Sequence, residues 1–367
     1  MSLIRILVDS FADERLTNAQ MTNARDIVQR LNPERFHVSM FCVDEPDPLV
    51  VQRPNTRLIR LPLHRQTPKI LKEFIFGAHD LLFYLKASPA SKWYLRLRRF
   101  WKDKRPVVGT VESVCMPREM SAMAPEWQLL WEQTILRSDY LFSNANSVKE
   151  GLEKMYGLSS GVVPTGVDTK FFSPVLERPR NARVQVLFAG SIREYKEPQT
   201  VVHAATLFPE ADFVIAGEGI MSNELQQRVQ RERLANVRFT GALSRNALRE
   251  EYRQADIFFY PSHWEGSPKV IMEAAACGLP AIVRNDYQPE SVINGQTGYV
   301  VASDEELFAR LAELLERPDL RRAFGEAGRE HVKRFDWDPI TRRWEEIFLQ
   351  VTAQPRDTAA ESCLKRA

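Results

Sequence analysis

Short β-rich runs alternate with helical ones along the whole chain, and successive strands are separated by a helix rather than a tight turn. A stretch rich in Pro, Arg and Asn interrupts this alternation near the middle. Together these features predict an α/β protein made of two successive βαβ domains, each built on a parallel sheet, because parallel strands need a helical crossover between them. The first series reads Ile4–Val8, a helix near Thr17–Leu31, then Phe36–Val43, Thr56–Leu61, Leu81–Leu85, Val107–Val111 and Tyr140–Ser143. The second reads Val184–Phe188, Phe213–Ala216, Val237–Thr240, Ile257–Tyr260, Ala281–Val283 and Tyr299–Val301, with further helices near Asp304–Leu315 and Leu320–Arg334. Pro174 and Pro179 mark the break between the series.

Composition bounds the function. A chain of 367 residues with 44% hydrophobic content can bury two cores. Its 50 basic and 48 acidic residues leave a net charge of +2, which argues against a global field for nucleic acid. Cys42, Cys115, Cys277 and Cys363 show no metal-like spacing, so structural zinc is not expected. Isolated thiols suit a reducing compartment. Met1-Ser2-Leu3-Ile4 runs directly into a strand, and no run of about 18 apolar residues occurs. A cytoplasmic protein is expected, soluble or peripheral at the inner face of the membrane.

The densest pattern is Pro261-Ser262-His263-Trp264-Glu265-Gly266-Ser267-Pro268-Lys269-Val270-Ile271-Met272-Glu273-Ala274-Ala275-Ala276-Cys277-Gly278-Leu279-Pro280. It reads as a strand end, a loop and a short helix with Ser267 as N-cap and Pro268 in the first turn, ended by Gly278 and Pro280. The helix is apolar nearly all round, so Glu273 needs a partner. One partner is Lys269, at a spacing worth roughly 0.2–0.5 kcal/mol. The other reading turns Glu273 toward a polar ligand while the free amides of Lys269 and Val270 hold an anion. Two carboxylates flanking a phosphate-ready helix suggest a nucleotide-linked sugar.

Glu265 and Glu273, in this twenty-residue context, resemble the signature of family 4 retaining glycosyltransferases, of the glycosyl transferases group 1. The resemblance covers residues 140–345 by motif and 1–140 by topology. It implies the GT-B fold, in which two Rossmann-like domains face each other across a cleft. The expected organisation is an acceptor-side domain at 1–167, a linker at 168–183, a donor domain at 184–338, a helix at 339–352 returning to the first domain, and a disordered tail at 353–367.

On the donor side the resemblance extends to Gly190 and to Lys196, six residues beyond it, where an ammonium stabilises the departing diphosphate. The family's usual Arg position holds Ser191; Arg193 either reaches the same phosphate or is solvated. Gly217 and Gly241 fall on family loops at strand ends, where glycine lets backbone approach a ligand, though glycine is common in any such turn. The resemblance implies that Glu273 binds the ribose hydroxyls and Glu265 the transferred sugar. Gly266, Ser267, Pro268 and the amides of Lys269 and Val270 would hold the diphosphate. The donor would be a UDP- or GDP-linked sugar, with no bound cofactor and no metal. Asp336-Trp337-Asp338 spells a metal-binding motif of another glycosyltransferase fold, but lies between helices and is discounted.

On the acceptor side the match thins. The loop Asp9–Gln20 has no glycine where the family has a glycine-rich turn, and Glu112 follows a strand where many relatives carry a His. Glu112 serves either as an acid/base group or as a cap. Residues 91–105 carry seven basic residues and four aromatics. They read either as a peripheral membrane contact or, as favoured, as an amphipathic helix whose aromatics at 93, 100 and 101 share a core face with Leu97. The expected partners are a nucleotide sugar and a glycan, lipid-linked or small-molecule acceptor, with no nucleic acid. The predicted activity is metal-independent retaining transfer of a sugar to an acceptor hydroxyl. The alternatives are an inactive scaffold of the same fold, or a same-fold epimerase or phosphorylase.

Overall fold

The computed structural model describes residues 3–14, 18–112, 124–175 and 183–353. The expected tail after residue 353 lies outside them, as do residues 176–182 of the expected linker. The chain divides into two compact units, Met1–Thr165 with Trp337–Ala367, and Gly166–Asp336.

The first unit carries β1 (Ile4–Phe11), β2 (Phe36–Cys42), β3 (Thr56–Arg60), β4 (Leu81–Phe83), β5 (Val107–Val111), β6 (Tyr140–Ser143) and β7 (Gly161–Val162). They form one parallel sheet in the order β3-β2-β1-β4-β5-β6-β7. β7, two residues long, is too short to stand out as a periodic run. Most strands are buried along their length, as parallel strands covered on both faces must be. The last helix, Trp337–Ala353, packs Trp344 and Phe348 onto this sheet. Trp344 lies 4.9 Å from Phe83 and 5.2 Å from Phe142, ring centre to ring centre.

The second unit carries β8 (Gln185–Ala189), β9 (Asp212–Ala216), β10 (Val237–Gly241), β11 (Ile257–Tyr260), β12 (Ala281–Arg284) and β13 (Gly298–Val301). Their parallel sheet runs β10-β9-β8-β11-β12-β13. In each sheet the order reverses once, between β1 and β4 and between β8 and β11. At such a point the loops diverge above and below the sheet and leave a crevice at the carboxyl ends. The unit closes on itself: Val167 N–H donates to the Phe335 carbonyl at 2.9 Å, and Asp336 accepts from the Thr169 amide at 3.1 Å and from its hydroxyl. Asp336 is thus a structural tie.

His79, just ahead of β4, is buried beside the Arg105 guanidinium at 3.3 Å. Burial first, and that charge second, hold its imidazole down to about 4. The unfolded chain takes up a proton near pH 6.5 that the folded chain refuses until about pH 4, so stability falls as pH drops through that window. His79→Asn is expected to flatten this acid limb by roughly 1–3 kcal/mol. Urea midpoints at pH 4.5 and 7 check it, and an unchanged slope would contradict it.

Candidate active site

The β8–β11 reversal assembles the charged groups. β8 ends at Gly190, and the loop beyond it turns through the 3-10 segment Glu194–Lys196 into a helix at Pro198–Leu207. Lys196 points back over the sheet edge and donates to the Tyr260 hydroxyl at 2.6 Å and to Glu265 Oε1. Tyr260 ends β11 and donates to the same oxygen at 2.6 Å, and the Ser262 hydroxyl does so at 2.7 Å. The Lys196 and Glu265 side chains are only 12% and 11% exposed. At that depth an ion pair persists because hydrogen bonds satisfy the charges. Arg284, itself buried, donates to the Pro261 carbonyl at 2.8 Å and pins the start of the loop. On the rim, Tyr195 and Trp264 stack at 6.2 Å. His263 lies 2.5 Å from Asp286.

The helix after this loop begins at Lys269, not Pro268. Pro268 is itself the N-cap, with ψ 110°, and no side chain caps the helix. The expected Ser267 cap is therefore wrong: the extended proline pushes Ser267 one residue outside the helix. At the other end Gly278 takes φ +84° and its N–H meets the Ala275 carbonyl, a left-handed termination that explains the glycine. Glu273 is half-buried on this helix, and Oε2 accepts from the Tyr252 hydroxyl at 3.1 Å. Sequence reasoning offered Lys269 or a polar ligand as its partner, and not Tyr252. The available signal was Tyr252 itself, the one aromatic in the charged helix Arg245–Gln254.

Gly190, Gly217 and Gly241 lie at the ends of β8, β9 and β10. The Gly190 N–H bonds the Ala216 carbonyl at 2.9 Å, and the Gly217 N–H bonds the Gly241 carbonyl at 3.0 Å. A Cβ on Gly217, at φ +140°, would lie 1.9 Å from the Gly190 oxygen. Close packing of backbone on backbone thus accounts for glycine at 217. Gly219, which sequence reasoning passed over, is enclosed in the same way: its Cβ would meet the Ile192 oxygen at 2.1 Å. The Arg193 side chain is exposed and forms no ion pair among the described residues.

Glu112 belongs to the other unit. It follows β5 and accepts from Asn23 at 3.0 Å and from the Tyr84 hydroxyl, beside a cavity of about 20 Å3 that has room for about one water. Also at that unit's sheet edge is Lys86, unremarked in the sequence. It is buried over the Phe11 ring at 4.3 Å and beside Asp9; burial holds it down to about 8 while Asp9 and Asp13 oppose the shift.

The basic segment forms the helix Pro89–Phe100. Its buried face is Ala90, Ser91, Tyr94, Leu95 and Arg98, whereas Trp93, Phe100 and Trp101 are 50%, 82% and 55% exposed. The expected core face at 93, 100 and 101 is corrected: the helical period places 90, 94 and 98 inward. Arg98 buries its guanidinium against Asp139 at 2.8 Å. No described helix is long and apolar enough to cross a membrane. Among the described residues no group of three or more His, Cys, Asp or Glu gathers where a metal could sit.

Two parallel sheets with covering helices have counterparts among solved structures. Sucrose-phosphate synthase from Thermosynechococcus elongatus aligns with a TM-score of 0.79 at 20% identity, covering 96% of this chain and 100% of that one. Anabaena Alr3699/HepE in complex with UDP-glucose aligns at 0.71 and 15% identity, covering 94% and 98%. In sequence, residues 174–331 match the model of the glycosyl transferases group 1. A glycogen synthase of Mycobacterium tuberculosis is 26% identical over 291 residues, 75% of this chain and 68% of that protein. The chain has the GT-B fold, and its second unit carries a domain of the glycosyl transferases group 1.

Gly217→Ala tests the strand-end packing. Forcing a methyl against the Gly190 carbonyl is expected to cost roughly 1–3 kcal/mol, read from denaturant midpoints. An undiminished midpoint would show that the loops are free to part.

Proposed function

We propose that this protein is a family 4 retaining glycosyltransferase that moves a sugar from a UDP- or GDP-linked donor to an acceptor hydroxyl without a metal. The observation that carries the reading is the Lys196–Glu265 pair at the β8–β11 reversal, with Glu273 on the helix that follows. A cation and a carboxylate side by side suit a ligand that brings a phosphate and a sugar hydroxyl together. In this reading Lys196 turns to the diphosphate and Glu265 accepts from the sugar. The amides opening the helix at Lys269 and Val270, with Gly266, Ser267 and Pro268, cradle the phosphates. Glu273 binds the ribose. Gly190, Gly217 and Gly241 let the backbone approach the nucleotide, and Arg193 adds charge at the phosphates.

The acceptor hydroxyl attacks from the face that the diphosphate leaves. The departing phosphate takes the acceptor proton, while Lys196 and the helix N-terminus hold the developing charge. Glu112, in the other unit, is assigned an acid/base or hydrogen-bonding role toward the reacting sugar. HepE, solved with UDP-glucose, supports trying UDP first. The acceptor is a glycan, a lipid-linked saccharide or a small molecule, at the inner face of the membrane or in the cytoplasm. Ser191 in place of the usual Arg favours a second reading, a binding protein that holds the nucleotide sugar without transferring it.

A thermal-shift panel of UDP, GDP, ADP and dTDP with their sugars tests the donor site. A ligand at 100 times its dissociation constant adds roughly 2.7 kcal/mol, a rise of a few degrees. The rise is expected to vanish in Glu273→Ala. Lys196→Ala is expected to lower the rate by about 10²–10³-fold. Near-normal turnover in Lys196→Ala would sink the assignment, and binding without turnover in the wild type would favour the second reading.

The proposed membrane contact is the exposed face of Pro89–Phe100. Arg96, Arg99, Lys102, Lys104 and Arg137, with Asp103 and Asp139, line a cavity of about 740 Å3, and Trp93, Phe100 and Trp101 of the same segment are exposed. Such a face fits anionic headgroups. Co-sedimentation with phosphatidylglycerol vesicles, but not with phosphatidylcholine vesicles, is expected, and Arg96→Gln with Arg99→Gln should weaken it. Equal sedimentation with both lipids would remove this face from the proposal.

A further inference from the structure

The two glutamates of the motif are held by two tyrosines that lie outside its helix, and those tyrosines belong to one row of aromatic rings. Phe188 on β8, Tyr260 and Phe258 on β11, and Tyr252 on the helix Arg245–Gln254 follow one another, with ring centres 5.7, 5.7 and 5.8 Å apart. The first two contacts are stacked and the third is edge-on. Phe172 closes the row against Tyr252 at 5.9 Å. All five residues are buried. Side chains packed this way have no freedom to turn, so the two phenol oxygens are fixed points at the polar edge of an apolar layer.

Each hydroxyl is used once toward a carboxylate: Tyr260 donates to Glu265 Oε1 at 2.6 Å and Tyr252 to Glu273 Oε2 at 3.1 Å. The direction of the Tyr260 bond is forced. An ammonium only donates and a carboxylate only accepts, so the hydroxyl accepts from Lys196 and donates to Glu265. Burial, and then the neighbouring carboxylate, push both phenols well above their usual range, so they remain donors throughout the working pH range. The Lys196, Tyr260 and Ser262 contacts all fall on Oε1 of Glu265, and no hydrogen bond among the described residues uses Oε2. One oxygen is anchored and the other is left to a ligand.

We infer that Tyr260 and Tyr252 are positioning residues that set the two glutamates independently, Tyr260 presenting Glu265 to the transferred sugar and Tyr252 presenting Glu273 to the nucleoside. The inference rests on the donor assignment proposed above and adds to it a division of labour within one aromatic row. It also gives Tyr260 a task during turnover. When the diphosphate draws Lys196 away, Glu265 loses its cation and keeps two neutral donors, the hydroxyls of Tyr260 and Ser262.

Tyr→Phe at each position keeps the ring stack and removes only the oxygen. Binding of UDP and GDP, followed by calorimetry, and turnover of UDP-glucose and GDP-mannose with water as acceptor give separate readouts. Tyr252→Phe is expected to weaken nucleotide binding about ten-fold, and Tyr260→Phe to change it by less than about three-fold. Tyr260→Phe is expected to lower kcat about ten-fold or more with KM within about three-fold. A merely structural role would lower the melting temperature of both variants without separating the two readouts, and that result, or wild-type behaviour in both, overturns the inference.

If the wild type neither binds nor turns over any of these probes, the donor assignment falls instead. Crystal structures of the two empty variants then decide the positioning claim alone. Glu265 and Glu273 carboxylates displaced in their respective variants uphold it, and unmoved carboxylates refute it.

Discussion

A single carboxylate oxygen, Glu265 Oε1, organises the polar edge of the second sheet. It takes a proton donor from the loop after β8, another from the end of β11, and a third from the turn that follows. A carboxylate this shielded from water needs such donors to offset the hydration it has lost. Two separate stretches of chain, the loop after β8 and the end of β11 with its following turn, must therefore reach the same point, and the loops around them are fixed as a consequence. Arg284 on β12 joins in by holding the Pro261 carbonyl. The helix from Lys269 then starts where this anchored loop ends, which carries Glu273 to its place.

What could be read from the sequence follows from what is local. Alternating runs gave every strand of the two sheets except the two-residue β7, and Gly278 with Pro280 gave the helix end, because each depends on a few adjacent residues. The twenty-residue context of Glu265 and Glu273 carried the resemblance for the same reason. The partners of those glutamates did not show, since Tyr252 meets Glu273 only after a helix folds over the sheet, 21 residues away in sequence. Ser267 was misjudged as a cap because nothing local says that Pro268 stays extended. Trp93, Phe100 and Trp101 read as a core face because aromatic content was taken over helical phase. The phase is set by Ala90, Tyr94 and Arg98, which face the sheet.

Charge is handled differently at the two sheet edges. In the second unit a cation and an anion meet directly, and two hydroxyls donate to the anion. In the first, Asp9 is buried and the Lys86 ammonium is shielded from water, and Asp9 accepts instead from the Lys86 amide at 2.8 Å and the Ser91 hydroxyl at 3.3 Å. Burial raises the Asp9 carboxyl and lowers the Lys86 ammonium, each opposed by the other's charge. The same fold plan, reversed once in each sheet, thus supports one edge of paired charge and one where desolvation dominates.

The route of the chain has a consequence for how the molecule is made. The second unit is an insertion: it leaves the first at residue 166 and returns at residue 336, its two ends tied by the Val167–Phe335 hydrogen bond. A ribosome therefore delivers the whole second unit before the first is complete. Until the closing helix has emerged, Phe83 and Phe142 lack the cover of Trp344 and Phe348. The half that is synthesised first is the half that finishes last, and in the interval its sheet presents to solvent the apolar surface that a chaperone or a neighbouring nascent chain would meet.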